Sequence, residues 1–111
     1  MLSNRQKLIL FLISSEPGIK SIYTLVKLFD KVDFPARISE NINVLIQKKF
    51  IFISEDFDNG TAKNYKTTIE GETYLRNNFN EIEIIKYVSE MDEPVLILEI
   101  LKKYIQRKKD S

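Results

Sequence analysis

Between residues 37 and 47 the chain gathers side chains whose chemistry suits the edges of nucleic-acid bases. Arg37 carries a planar fork of donors that matches guanine. Asn41 and Asn43 carry the donor–acceptor pair that matches adenine, and Glu40 can accept from cytosine. Gln47 and the small polar Ser39 lie in the same stretch. Base reading also needs groups that hold the phosphate backbone. Lys20, Ser21, Lys27 and Lys31 precede the stretch, and Thr61, Lys63 and Lys66 follow it. Neutralising several phosphates with such a set makes affinity fall steeply with salt. The same residues also furnish an ordinary solvated surface, so their meaning depends on the elements that carry them.

Ile38, Ile42, Leu45 and Ile46 recur at i, i+4, i+7 and i+8, one face of a helix. The spacing predicts a helix over 35–48, with Pro35 in its first turn holding Phe34 outside the helical region. Arg37, Glu40, Asn41, Asn43 and Gln47 are then left outward. After Lys49 the period changes: Phe50-Ile51-Phe52-Ile53 is β-branched and aromatic, and Ile51 and Ile53 point to one side. Asn59-Gly60 reverses the chain, which predicts strands at about 51–56 and 64–69. The hairpin is acidic where it begins, Glu55-Asp56 with Asp58, and this argues against close contact with a polyanion. Upstream, Ser3 and Gln6 form a capping box for a first helix from Asn4, with Leu8, Leu12 and either Phe11 or Ile13 as its buried stripe. It ends before Glu16-Pro17-Gly18. Ser21 is the N-cap of a second helix that buries Leu25, Leu28 and Phe29.

Helix, helix, hairpin, helix in this order is what a winged helix-turn-helix requires, and the residues carry a family resemblance. Ile38-Ser39, Ile42, Leu45 and Phe50-Ile51, followed by Tyr65-x-Thr67-Thr68-x-x-Gly71-x-x-x-Leu75, resemble winged-helix regulators of the MarR and PadR kind over most of the first eighty residues. Lys49 stands where those regulators commonly have Gly, and Thr67 where they have Leu. The resemblance implies that helix 35–48, Ser39 included, enters a major groove. It also implies a homodimer formed through terminal helices.

Bulk properties narrow the classes. The chain has 111 residues and no cysteine or histidine, so thiolate zinc sites, disulfides and the commonest general base are excluded. No phosphate-binding glycine loop or catalytic constellation stands out, so neither an enzyme nor a cofactor nor a metal is expected. The sequence shows no long apolar run and no signal peptide, which predicts a cytoplasmic protein without a membrane partner. Net charge is +1, but its distribution is uneven. Residues 1–50 hold 8 Lys or Arg against 4 Asp or Glu, and residues 51–78 hold 3 against 5. The positive excess lies on the helical half that would meet DNA.

Beyond Asn78 the resemblance fades, and a helical segment over 79–111 is expected to follow the winged domain of 1–78. Ile82, Ile85 and Val88 recur at helical spacing. Asp92 and Pro94 begin a last helix that runs to about Lys108, with Ile97, Leu98, Leu101, Tyr104 and Ile105 along one side. Leu96 and Ile100 on its flanks widen the stripe beyond what one neighbour needs. Either it packs back on the first helix or it joins a second copy, and Ile82, Ile85, Val88, Ile97, Leu98, Leu101, Tyr104 and Ile105 are the expected dimer interface. The expected fold is therefore mainly α with a small β-hairpin, a winged helix-turn-helix with C-terminal dimerisation helices. The expected function is duplex DNA binding as a small transcriptional regulator. The competing reading is a winged helix that binds protein through its acidic hairpin and polar third helix.

Overall fold

The computed structural model describes residues 1–16, 18–30, 32, 37–56 and 63–110. The order is α1 (Asn4–Ser14), α2 (Ile22–Asp30), α3 (Ile38–Gln47), β1 (Ile51–Asp56), β2 (Lys63–Thr67), α4 (Ile69–Asn78), α5 (Glu81–Ser89) and α6 (Val95–Asp110). It is mainly helical, with a small two-stranded antiparallel hairpin.

The first helix starts as its capping box requires: the Ser3 hydroxyl accepts from the Gln6 N–H at 3.2 Å and Gln6 Oε1 accepts from the Ser3 N–H at 2.9 Å. Its middle departs from expectation. All six residues from Leu8 to Ile13 are buried, so the helix is covered all round and not along one stripe. It packs against α3, β2, α4 and α5. In α2 the expected Leu25, Leu28 and Phe29 are buried, and in α3 Ile38, Ile42 and Leu45 are.

Helix α3 begins at Ile38, not at 35, because Arg37 has φ 51° and ψ 48°, a left-handed conformation that no α-helix contains. Pro35 therefore precedes the helix; it and Phe34 lie outside the described residues. The far end of α3 closes with a Schellman motif. The Phe50 N–H donates to the Leu45 carbonyl at 3.0 Å and the Lys49 N–H to the Ile46 carbonyl at 2.9 Å. Lys49 takes the left-handed position with φ 63°, so the site where the resembling proteins favour Gly does demand positive φ here.

The hairpin pairs Ile51 with Thr67, Phe52 with Lys66 and Ile53 with Tyr65, then shifts register at Ser54, a bulge, so that Glu55 faces Asn64 and Asp56 faces Lys63. Strand β2 meets the start of α2 on its other side: Ser21 bridges Asn64 and the Tyr65 N–H donates to the Lys20 carbonyl at 2.9 Å. The expected Asn59-Gly60 reversal lies outside the described residues. Strand β2 stops at Thr67, two residues early, because Thr68 caps α4. Its hydroxyl accepts from the Gly71 N–H at 3.0 Å and donates to the Lys49 carbonyl at 2.6 Å. Gly71 is needed there because a Cβ would fall 2.2 Å from the Phe50 carbonyl oxygen.

Helices α5 and α6 pack on each other, and Ile84, Val88, Ile97 and Leu101 join the same core as α1. Helix α6 starts at Val95, with the Pro94 carbonyl accepting from the Leu98 N–H at 2.8 Å. Pro94 thus stands just ahead of the helix, and Asp92 is not its cap. Among the described residues no helix is long and apolar enough to cross a membrane.

Two substitutions at the α3–β1–α4 junction should move stability in opposite directions. Lys49→Gly relieves a left-handed side chain and should raise unfolding free energy by roughly 0.5–1 kcal/mol. Gly71→Ala forces the Phe50 carbonyl aside and should lower it by about 1–3 kcal/mol. Urea titration of both variants measures this, and a neutral Gly71→Ala would contradict the close approach.

Candidate nucleic-acid interface

With Ile38, Ile42 and Leu45 anchored in the core, the opposite face of α3 is in solvent. Ser39, Glu40, Asn43 and Gln47 are all exposed on it. Arg37 lies at its head, exposed, with Nη1 at 3.6 Å from Glu40 Oε2. A pair this open to water contributes little to stability, so the guanidinium keeps its freedom to turn toward a ligand. Asn41 differs from expectation. It is half-buried and faces α1, where Oδ1 accepts from Gln6 Nε2 at 3.2 Å, while Nδ2 donates back to the Arg37 carbonyl at 3.1 Å. It joins two helices and does not belong to the outward row.

The expected backbone-holding residues divide. Lys20 is committed elsewhere: its Nζ donates to the Ile13 carbonyl at 2.7 Å and the Ser15 carbonyl at 3.4 Å, and lies 3.4 Å from Glu16. It neutralises the C-terminal end of α1, where carbonyls lack helical partners and the dipole is negative. Ser21 is half-buried in the bridge to Asn64, and its carbonyl accepts from the Leu25 N–H at 3.1 Å, which makes it the first residue ahead of α2 as expected. Lys27 is exposed with Nζ 4.6 Å above the Tyr23 ring. With Thr24, Leu28, Asp30 and Leu96 it lines an open groove that no α3 residue reaches. Lys63 is half-buried at the head of β2, and Lys66 is exposed beside Phe52. Lys31 and Thr61 lie outside the described residues.

Two cations that the sequence reading left out stand next to the row. Lys48 and Lys49 are exposed at the C-terminal end of α3, where the chain turns into β1. The signal was present as adjacent lysines closing a helix.

The expected dimer stripe belongs largely to the chain itself. Val88, Ile97 and Leu101 are fully buried in the core, and Ile85, Leu98, Tyr104 and Ile105 are half-buried against it. A residue already covered inside one chain has no surface to give a second, so Val88, Ile97 and Leu101 are core residues and not interface. The reason is α5, on which α6 packs, so that Val88, Ile97 and Leu101 close on one another within the core. Ile82, by contrast, is 82% exposed. The tail is fastened at its end by Lys109 Nζ, 3.0 Å from Glu81 at the start of α5. Among the described residues no group of His, Cys, Asp or Glu could hold a metal ion.

No family model matches the chain, and neither a curated protein nor a solved structure matches it. The site therefore stands on its own geometry.

Two reassigned residues give measurable consequences. Lys20→Met removes a charged donor from the end of α1 and should lower stability by about 1–2 kcal/mol. Ile97→Ala should cost about 2–4 kcal/mol as a core truncation. Chemical denaturation of dilute protein checks both, since a loss independent of protein concentration marks an intramolecular contact.

Proposed function

We propose that this chain binds duplex DNA, with α3 in the major groove. One observation carries the reading. A helix anchored by three core residues leaves Arg37, Ser39, Glu40, Asn43 and Gln47 together in solvent, with Lys48 and Lys49 at its end. Arg and Asn are the side chains that discriminate guanine and adenine by paired hydrogen bonds, and lysines beside them suit phosphate. The order of elements supports the same reading. A helix, a bridge residue, two helices and a hairpin whose second strand meets that bridge form the arrangement expected of a winged helix. In that frame α3 is the recognition helix and the hairpin is the wing. Transcriptional regulation is the role that follows for a small sequence-reading protein.

Fluorescence anisotropy on labelled duplexes tests the proposal. At low salt even a random duplex should bind, with affinity falling steeply as salt rises. No binding at low salt would overturn it. On a selected site, Arg37→Ala and Asn43→Ala should each cost roughly 1–3 kcal/mol and relax base preference, whereas Lys63→Ala and Lys66→Ala should weaken binding on every sequence alike.

A further inference from the structure

Arg37 holds its position against three local preferences. It stands just ahead of α3, where a short side chain with an oxygen acceptor is favoured, and a guanidinium has no acceptor to offer. Its charge sits at the positive end of the helix dipole. Its backbone is left-handed, with φ 51° and ψ 48°, which a side chain with a β-carbon disfavours. Three breaches of local rules at one exposed residue are the mark of a position kept for function.

A relay of two amides holds this backbone in place. Asn41 Nδ2 donates to the Arg37 carbonyl at 3.1 Å, beside the helical bond from the Asn41 N–H to the same oxygen at 3.1 Å. Asn41 Oδ1 accepts from Gln6 Nε2 at 3.2 Å, and Gln6 Oε1 accepts from the Ser3 N–H at 2.9 Å. The Arg37 backbone is thereby tied to the capped start of α1. Each amide is used at both ends, so turning either over would set acceptor against acceptor. The relay fixes the direction in which the Arg37 side chain leaves the helix. Its tip, in an open pair with Glu40, stays free to move.

We infer that Gln6 and Asn41 are positioning residues for guanine recognition, holding the backbone of Arg37 so that its guanidinium meets one guanine at the head of α3. Arginine reads guanine through two hydrogen bonds at once, so direction matters as much as reach. A recognition helix meets base edges with its first residues, which is where Arg37 stands. The inference rests on the proposed DNA binding and adds a feature of the ligand, a guanine facing that end of α3.

The test is fluorescence anisotropy on a selected duplex in which each guanine is replaced in turn by 7-deazaguanine, which lacks one of the two major-groove acceptors. Wild type should lose about tenfold in affinity at one guanine, and Arg37→Ala should be indifferent to that replacement. Gln6→Glu keeps the acceptor for the Ser3 N–H, and with it the cap of α1, but turns a carboxylate oxygen on Asn41 Oδ1. Gln6→Glu and Asn41→Ala should each cut the preference for that guanine about fivefold, the worth of one hydrogen bond, and leave the other guanines as in wild type. On the selected duplex Asn41→Ala should weaken binding in wild type but no further once Arg37→Ala is present, whereas a general loosening of the fold would weaken both. Arg37→Asn suits the left-handed backbone and should raise the midpoint of urea unfolding while erasing the guanine preference.

Circular dichroism verifies the fold of each variant. A guanine preference that both relay variants leave intact overturns the inference. So does an Asn41→Ala loss that persists in full without Arg37, or an Arg37→Asn that lowers the midpoint. A wild type that binds duplex but has no sensitive guanine overturns this inference alone, and one that binds no duplex at low salt overturns the DNA reading with it.

Discussion

The structure depends on one helix that has no outside. From Leu8 to Ile13 every side chain of α1 is buried, so α1 needs cover through its full circumference. An apolar helix surface left in water is unfavourable by roughly 25 cal/mol per Å². Helix α3, strand β2, α4 and α5 pack on it, and Phe79 stacks on Phe11 with ring centroids 4.4 Å apart. The remaining helices pack on those that cover α1: α2 on α3 and β2, and α6 on α5. The third helix faces inward with Ile38, Ile42 and Leu45, and this is what turns Ser39, Glu40, Asn43 and Gln47 outward.

The end of α1 does as much as its middle. The chain leaves it in a turn where the Ile19 N–H donates to the Leu12 carbonyl at 2.9 Å and Lys20 reaches back to the last carbonyls. Those contacts set the path of Lys20 and Ser21, and these in turn meet Tyr65 and Asn64 on β2. The position of the hairpin relative to the helices is thus fixed by polar groups that satisfy a helix terminus. At the other end of the hairpin, Thr68 bonds to both Lys49 and Gly71, so α3, β1 and α4 share one junction.

Local features were legible in the sequence, and features that depend on a distant partner were not. The capping box at Ser3 and Gln6, the inner faces of α2 and α3 and the change of period at Phe50 are all set by residues a few positions apart. Asn41 was misread because its partner, Gln6, is 35 residues away. That Lys20 donates to the carbonyls ending α1 was not legible, because a lysine's position says nothing of whether a carbonyl or a phosphate awaits it. The tail error has the same origin. The width of the α6 stripe suggested more apolar surface than one neighbour covers, but which residues of it another element reaches is a matter of packing: Ile97 and Leu101 are in the core, whereas Leu96 stays exposed.

The acidity of the hairpin bears on how it meets a polyanion. A carboxylate at Glu55 repels a polyanion, and its neighbour in the register is Asn64, whose Nδ2 lies 3.3 Å away without cancelling the charge. Lys48 and Lys49 stand exposed where α3 ends, before the hairpin begins. On the proposed DNA reading the helix end therefore brings the cations and the start of the hairpin brings the repulsion, so the end of α3 carries more of the phosphate contact than Glu55 and its neighbours permit the hairpin to make.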